Sequence, residues 1–192
     1  MLGSIGIFGG TFDPVHFGHL ITAQSLFEQR NLGKIIFIPC NISPHKTDRY
    51  SCDSKHRVEM LRLALEKHPH FEIDDYEIKK GDVSFSLDTI VHLSKIYSDL
   101  ELIIGYDNLL VFDKWFKPDE ILSLAKLVVM KRISDEQTSA RNKYFDYAEI
   151  VNTPTIEISS TTIRERVKEN KPVDFMVPES VEKYIRENGI YR

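Results

Sequence analysis

Ile5-Gly6-Ile7-Phe8-Gly9-Gly10-Thr11-Phe12-Asp13-Pro14-Val15-His16-Phe17-Gly18-His19 is the stretch on which the fold turns. Its first four residues form a short apolar run that reads as a buried strand. The residues after it set Leu20, Ala23 and Phe27 at helical spacing, through to Arg30. Between them lies a turn that packing alone does not call for. Gly9 and Gly10 allow close backbone approach, Pro14 stiffens the chain, and His16 and His19 flank Gly18. A strand, a glycine-rich turn and a helix bring backbone N–H groups and a helix N-terminus to one point. That point favours anions, phosphate above all.

Outward from this unit the same alternation recurs. Lys34–Pro39 reads as a second strand, followed by a polar loop from Cys40 to Tyr50. Val58, Leu61 and Leu65 mark a helix that Asp53 or Ser54 can cap. Alternation over Phe71–Ile78 predicts a third strand, and Leu87, Ile90, Val91 and Leu93 a helix past Gly81. Leu100–Gly105 and Leu127–Met130 give the fourth and fifth strands, with a helical region between them that breaks around Trp115 and Pro118. A last short strand near Ile150-Val151 precedes a helix from about Ser160, and Pro178 opens a C-terminal helix. The pattern predicts an α/β, Rossmann-like, doubly wound parallel sheet of about five or six strands with helices on both faces. It is expected to form one domain over residues 1–192. Ligands of such sheets bind beyond the carboxyl ends of the strands. The loops holding His16, Lys46, Asp107 and Ser160 are therefore expected to meet.

Composition narrows the partners. A net charge of −4 argues against nucleic acid, which would need a basic stripe, but leaves room for a small phosphorylated substrate served by a few cations. No leader or membrane span is expected. Cys40 and Cys52 are the only cysteines, which favours a reducing cytoplasm over a disulfide framework. Oligomeric state is left open, a homo-oligomer included.

The turn lacks the spacing of a dinucleotide fingerprint and the Gly-Lys-Ser/Thr ending of a P-loop. Its histidines can donate to phosphate oxygens, whose charge would favour the imidazolium form. The competing readings are a capping turn or a metal site on the pair, though no further ligand stands at a suitable spacing nearby. Ile158-Ser159-Ser160-Thr161-Thr162-Ile163-Arg164 is the second anion element: hydroxyls at a helix start, with Arg164 one turn on. Its competitor is a capping box of Thr162 with Glu165. Trp115 fits either the core or a ring-stacking surface. Lys46 and Arg132 fit either plain surface cations or phosphate ligands, and Asp107 either a helix cap or a ribose contact.

Together, Gly9–His19 and Ile158–Arg164 resemble the HxGH nucleotidyltransferases, and among them the bacterial nicotinate-nucleotide adenylyltransferases. Ser43-Pro44-His45-Lys46, Ser84-Phe85-Ser86-Leu87-Asp88-Thr89 and Gly105-Tyr106-Asp107 with Trp115 follow in the order of that family's motifs. The resemblance implies transfer of the adenylyl group of ATP to nicotinate mononucleotide, giving deamido-NAD and pyrophosphate. Mg²⁺ would be held mainly by substrate phosphates, with no protein metal site. The resemblance assigns His16, His19 and Arg164 to catalysis. It gives ATP to Gly9, Gly10, Thr11, Gly18, Gly105, Asp107, Ser159, Ser160 and Thr161. It gives the mononucleotide to His45, Lys46, Ser86, Trp115 and Arg132. Ser43 departs from the family's proline. Ser86 departs from its threonine, at a point where the nicotinate carboxylate is met mainly by backbone. Adenylyl transfer to nicotinamide mononucleotide or phosphopantetheine, and nucleotide sensing without turnover, stay as alternatives.

Overall fold

Six apolar runs pair side by side in the computed structural model, which describes residues 3–42, 52–132 and 141–192. They are β1 (Ile5–Gly10), β2 (Lys34–Pro39), β3 (Phe71–Ile73), β4 (Leu100–Gly105), β5 (Lys126–Lys131) and β6 (Ala148–Asn152). All pairs are parallel, in the order β3-β2-β1-β4-β5-β6. The helices are α1 (Phe17–Gln29), α2 (Ser54–Leu65), α3 (Tyr76–Lys80), α4 (Ser86–Leu93), α5 (Tyr106–Leu110), α6 (Pro118–Leu124), α7 (Ser160–Lys168) and α8 (Glu179–Glu187).

Both faces of the central strands are apolar because both are covered. Phe8, Phe37, Ile103, Val128 and Val151 point to one side, where Leu26 of α1, Leu61 of α2, Ile163 of α7 and Val181 of α8 close over them. Ile7, Ile36, Ile38, Ile104 and Val129 point to the other, against Ile90 of α4, Leu109 of α5 and Ile121 of α6. This is the doubly wound, Rossmann-like arrangement the sequence predicts. Strand order reverses between β1 and β4, so their carboxyl ends open a crevice at the centre of the sheet.

The third strand is shorter than predicted. Only Phe71–Ile73 pairs with β2, and Tyr76–Lys80 is helical. The Asp74 carboxyl accepts a 2.8 Å hydrogen bond from the Tyr76 N–H, turning the chain out of the sheet, and Gly81 closes the helix at a φ of 77°. The cap of α2 is Asp53, whose carboxyl accepts from Lys55 N.

Candidate active site

The crevice at the switch point is a cleft of about 1390 Å³. Fifteen of the residues singled out in the sequence line it: His16, His19, Arg164, Gly9, Gly10, Thr11, Gly18, Gly105, Asp107, Ser159, Ser160, Thr161, Ser86, Trp115 and Arg132. His45 and Lys46 lie outside the described residues. The ends of β1, β4, β5 and β6 all reach the cleft, the last through Thr153 to Ile158.

The glycine turn is shaped by one aromatic ring. Phe12 is held at a φ of 50° and is 1% exposed, its ring edge-on to Phe8 and His19 and tilted on Phe37. Burying such a ring is worth about 1.5–3 kcal/mol, which offsets the roughly 1–3 kcal/mol cost of a left-handed non-glycine backbone. A Cβ on Gly10 would stand 2.7 Å from that ring, so Gly10 is glycine to admit Phe12. At Gly9 a Cβ would meet nothing within 4 Å, and the space beside this cleft residue is open to a ligand.

The histidine pair is built on the first turn of α1. His16 occupies the N-cap position, so the capping reading and the cleft reading are both realised in one residue. Its ring stacks on that of His19, centroids 3.8 Å apart, and a Cβ on Gly18 would come within 2.9 Å of the His16 ring. Gly18 therefore lets one imidazole lie across the helix start. His19 Nδ1 accepts from the His16 backbone N–H at 3.3 Å, which puts the proton of the neutral ring on Nε2. Burial, with a smaller contribution from the Arg132 charge, holds His16 down at about 4. The cleft thus presents His16 as a neutral ring at pH 7.

The start of α7 is tied to the same turn. Ser159 is its N-cap, accepting from Thr162 N at 3.1 Å, so the box between Thr162 and Glu165 is not the cap. Four consecutive hydroxyls divide their tasks. Ser160 Oγ donates to the Pro14 carbonyl at 2.9 Å, and Thr161 Oγ1 accepts from Arg164. Arg164 Nη1 also donates to the Asp13 carbonyl at 2.8 Å. The N–H groups of Ser160 and Thr161, which lack an intrahelical acceptor at a helix start, face the same cleft as the histidines, a corner that could take an anion.

The opposite wall is aromatic and partly exposed. Trp115 packs on buried Phe112, rings 5.1 Å apart, and also lines the cleft. Phe85 and Phe116 meet at 4.8 Å beside it. Ser86 begins α4, whose N-cap Phe85 supplies no side-chain acceptor. Asp107 is exposed in the first turn of α5. The N-cap there is Gly105, so Asp107 is not the cap the sequence allowed.

Arg57 escaped the sequence reading. It is 1% exposed and donates from Nη1 to the carbonyls of Thr11 and Cys40, each at 2.8 Å. The signal was its place on the buried face of α2, in step with Met60, Leu61 and Ala64. No cluster of three His, Cys, Asp or Glu able to hold a metal stands among the described residues.

Residues 7–166 match the cytidylyltransferase-like family. The chain is 41% identical over 189 residues to the nicotinate-nucleotide adenylyltransferase of Bacillus subtilis strain 168, spanning 97% of each protein. Its fold is similar to that of Plasmodium falciparum nicotinic acid mononucleotide adenylyltransferase complexed with NaAD. The TM-score is 0.73 at 17% identity, over 98% of this chain and 97% of that one. The same enzyme complexed with APC gives a TM-score of 0.73 over 97% and 96%.

Proposed function

The chain belongs to the nicotinate-nucleotide adenylyltransferase family, within the cytidylyltransferase-like proteins, and we infer that it transfers the adenylyl group of ATP to nicotinate mononucleotide. The observation that carries the site assignment is the single cleft uniting the histidine pair, the start of α7 and Trp115.

A phosphate oxygen of the mononucleotide attacks the α-phosphorus of ATP. The bond to the β-phosphate oxygen breaks, pyrophosphate leaves, and the new P–O–P bond completes deamido-NAD. A phosphate monoester dianion is already a nucleophile, so the protein's task is positioning and charge stabilisation. His19 donates from Nε2 to the α-phosphate region, and His16 donates one N–H from its neutral ring. Negative charge arriving with the triphosphate raises the affinity of His16 for a proton. The Gly9-Gly10 backbone and Thr11 receive the same phosphates. Ser160, Thr161 and Arg164 hold the β- and γ-phosphates, with two of the five guanidinium N–H groups already spent on Asp13 and Thr161.

Asp107 and Gly105 serve the adenosine. Trp115 stacks on the pyridine ring, and the uncapped start of α4 at Ser86 meets its carboxylate through backbone N–H groups. Arg132 and Lys46 serve the mononucleotide phosphate. Mg²⁺ would be held mainly by the substrate phosphates that Thr11, Ser160, Thr161 and Arg164 receive, and would supply neutralisation of charge on the leaving pyrophosphate. No helix among the described residues is long and apolar enough to cross a membrane.

Pyrophosphate release from ATP with each mononucleotide tests this reading. Release is expected with nicotinate mononucleotide at the higher kcat/KM. Equal values for the amide would reassign the acceptor, and no release with either would make the protein a nucleotide sensor.

A further inference from the structure

The Gly9–His19 turn is gripped from behind by Arg57, Cys52 and Tyr191, which do not line the cleft. Asp13, at its centre, is 3% exposed. Its Oδ1 accepts a 2.6 Å hydrogen bond from the hydroxyl of Tyr191 and a 3.0 Å bond from Cys52 Sγ. Tyr191 follows α8 in the chain, 178 residues from Asp13, and is 6% exposed in the apolar cluster that also contains Phe12 and Val15. Desolvation holds its phenol above the ordinary range and pushes the Cys52 thiol up to about 12, so both keep their protons and donate.

The place of Tyr191 is set by α8 lying on α2, where Ser180 Oγ donates to the Leu63 carbonyl at 3.1 Å. That same α2 carries Arg57, whose guanidinium holds the Thr11 carbonyl. Arg164 takes the Asp13 carbonyl and Ser160 the Pro14 carbonyl. Three points of the turn, Thr11, Asp13 and Pro14, are thus held through backbone, and Asp13 is held through its side chain as well. Binding phosphate on backbone N–H groups demands a turn that does not relax when charge arrives, and catalysis tolerates little misplacement of the donors.

We propose that Tyr191 is a positioning residue for adenylyl transfer, its hydroxyl fixing Asp13 and thereby the turn that aims His16 and His19 at the triphosphate. This rests on the adenylyltransferase reading of the cleft. Its sharpest comparison is Tyr184, whose hydroxyl bonds His56 Nδ1 at 2.9 Å across the α2–α8 interface instead of Asp13.

The experiment pairs Tyr191→Phe with Tyr184→Phe, each losing one hydroxyl while keeping the ring. Tyr191→Phe is expected to lower kcat about tenfold with KM for nicotinate mononucleotide within about twofold, as for a lost bond to an acidic group that acts on geometry. Imidazole ¹⁵N resonances, read in the free protein, are expected to move for His16 and His19. Tyr184→Phe is expected to lower Tm comparably, to move His56 alone and to leave kcat unchanged. Wild-type kcat and unmoved His16 and His19 signals in Tyr191→Phe would overturn the proposal. The resonances need no turnover, so a wild-type protein that releases no pyrophosphate would refute the adenylyltransferase reading and leave the Tyr191 contact separately testable.

Discussion

The two ends of the cleft are built in opposite ways. At the end proposed for the triphosphate, the turn between β1 and α1 is locked by Phe12 from within and by Arg57, Ser160, Arg164 and Tyr191 from three distant segments. At the acceptor end the candidates sit on separate short pieces: Ser86 on the first turn of α4, Trp115 after a single 3-10 turn, and Arg132 just past β5. One end is buried and cross-tied, the other assembled from partly exposed neighbours. The difference suits the proposed chemistry. A triphosphate asks for fixed donors where charge develops, whereas an acceptor needs only a ring surface and a few polar contacts.

The largest expected effect lies at the locked end. Removing the His19 imidazole should lower kcat by about 10²–10³, as for loss of one oxyanion donor, with a smaller change in KM. Steady-state kinetics of His19→Ala checks this. Turnover within tenfold of wild type would mean that the locked end is architecture rather than catalytic machinery.

A second, slightly smaller effect is thermodynamic. His16 titrates near 6.5 when unfolded and at about 4 in the fold, because burial and then the Arg132 charge disfavour the imidazolium. Between those values the unfolded chain binds the extra proton. The stability contribution is present above pH 6.5 and is lost as the pH falls towards 4, by about 3 kcal/mol. Denaturant titrations of wild type and His16→Gln at pH 7 and pH 4 should therefore diverge by about that amount, with wild type losing more. Parallel losses would show that His16 takes up its proton in place, and that this end is wetter than its 6% exposure implies.

The same contrast explains what the sequence could disclose. The strand–turn–helix around Gly9 was legible because strand, glycines and helix start are local, and the sheet followed from alternating apolar runs. Third-strand alternation misled because Asp74 turns the chain by a side-chain bond that periodicity does not register. Gly10 and Gly18 invited a ligand explanation, yet their missing Cβ atoms make room for Phe12 and His16, which only the folded turn shows. The phase of Arg57 on α2 marked it as buried, but its contacts and those of Tyr191 were illegible for a different reason. Their partners lie 46 and 178 residues away, and no local pattern encodes such contacts.

At the assembled end the expected effects shrink. Trp115 keeps one face on Phe112, so truncating it should cost both packing and ring stacking. Trp115→Ala is expected to raise KM for the mononucleotide about tenfold, in the range of a lost aromatic stack, with kcat changed less. An unchanged KM in a folded variant would assign the ring wholly to the core.

The smallest effect is expected at Ser86, and it bears on acceptor choice. The start of α4 has no side-chain cap, so its first N–H groups are available in the geometry that favours a carboxylate. If backbone supplies the contact, the hydroxyl of Ser86 is dispensable, and the ratio of kcat/KM for nicotinate over nicotinamide mononucleotide should stay within about twofold in Ser86→Ala. A ratio that falls tenfold or more would move recognition onto the hydroxyl. Selectivity would then depend on a single side chain, and the acceptor end would owe its specificity to loop chemistry rather than to the helix start beneath it.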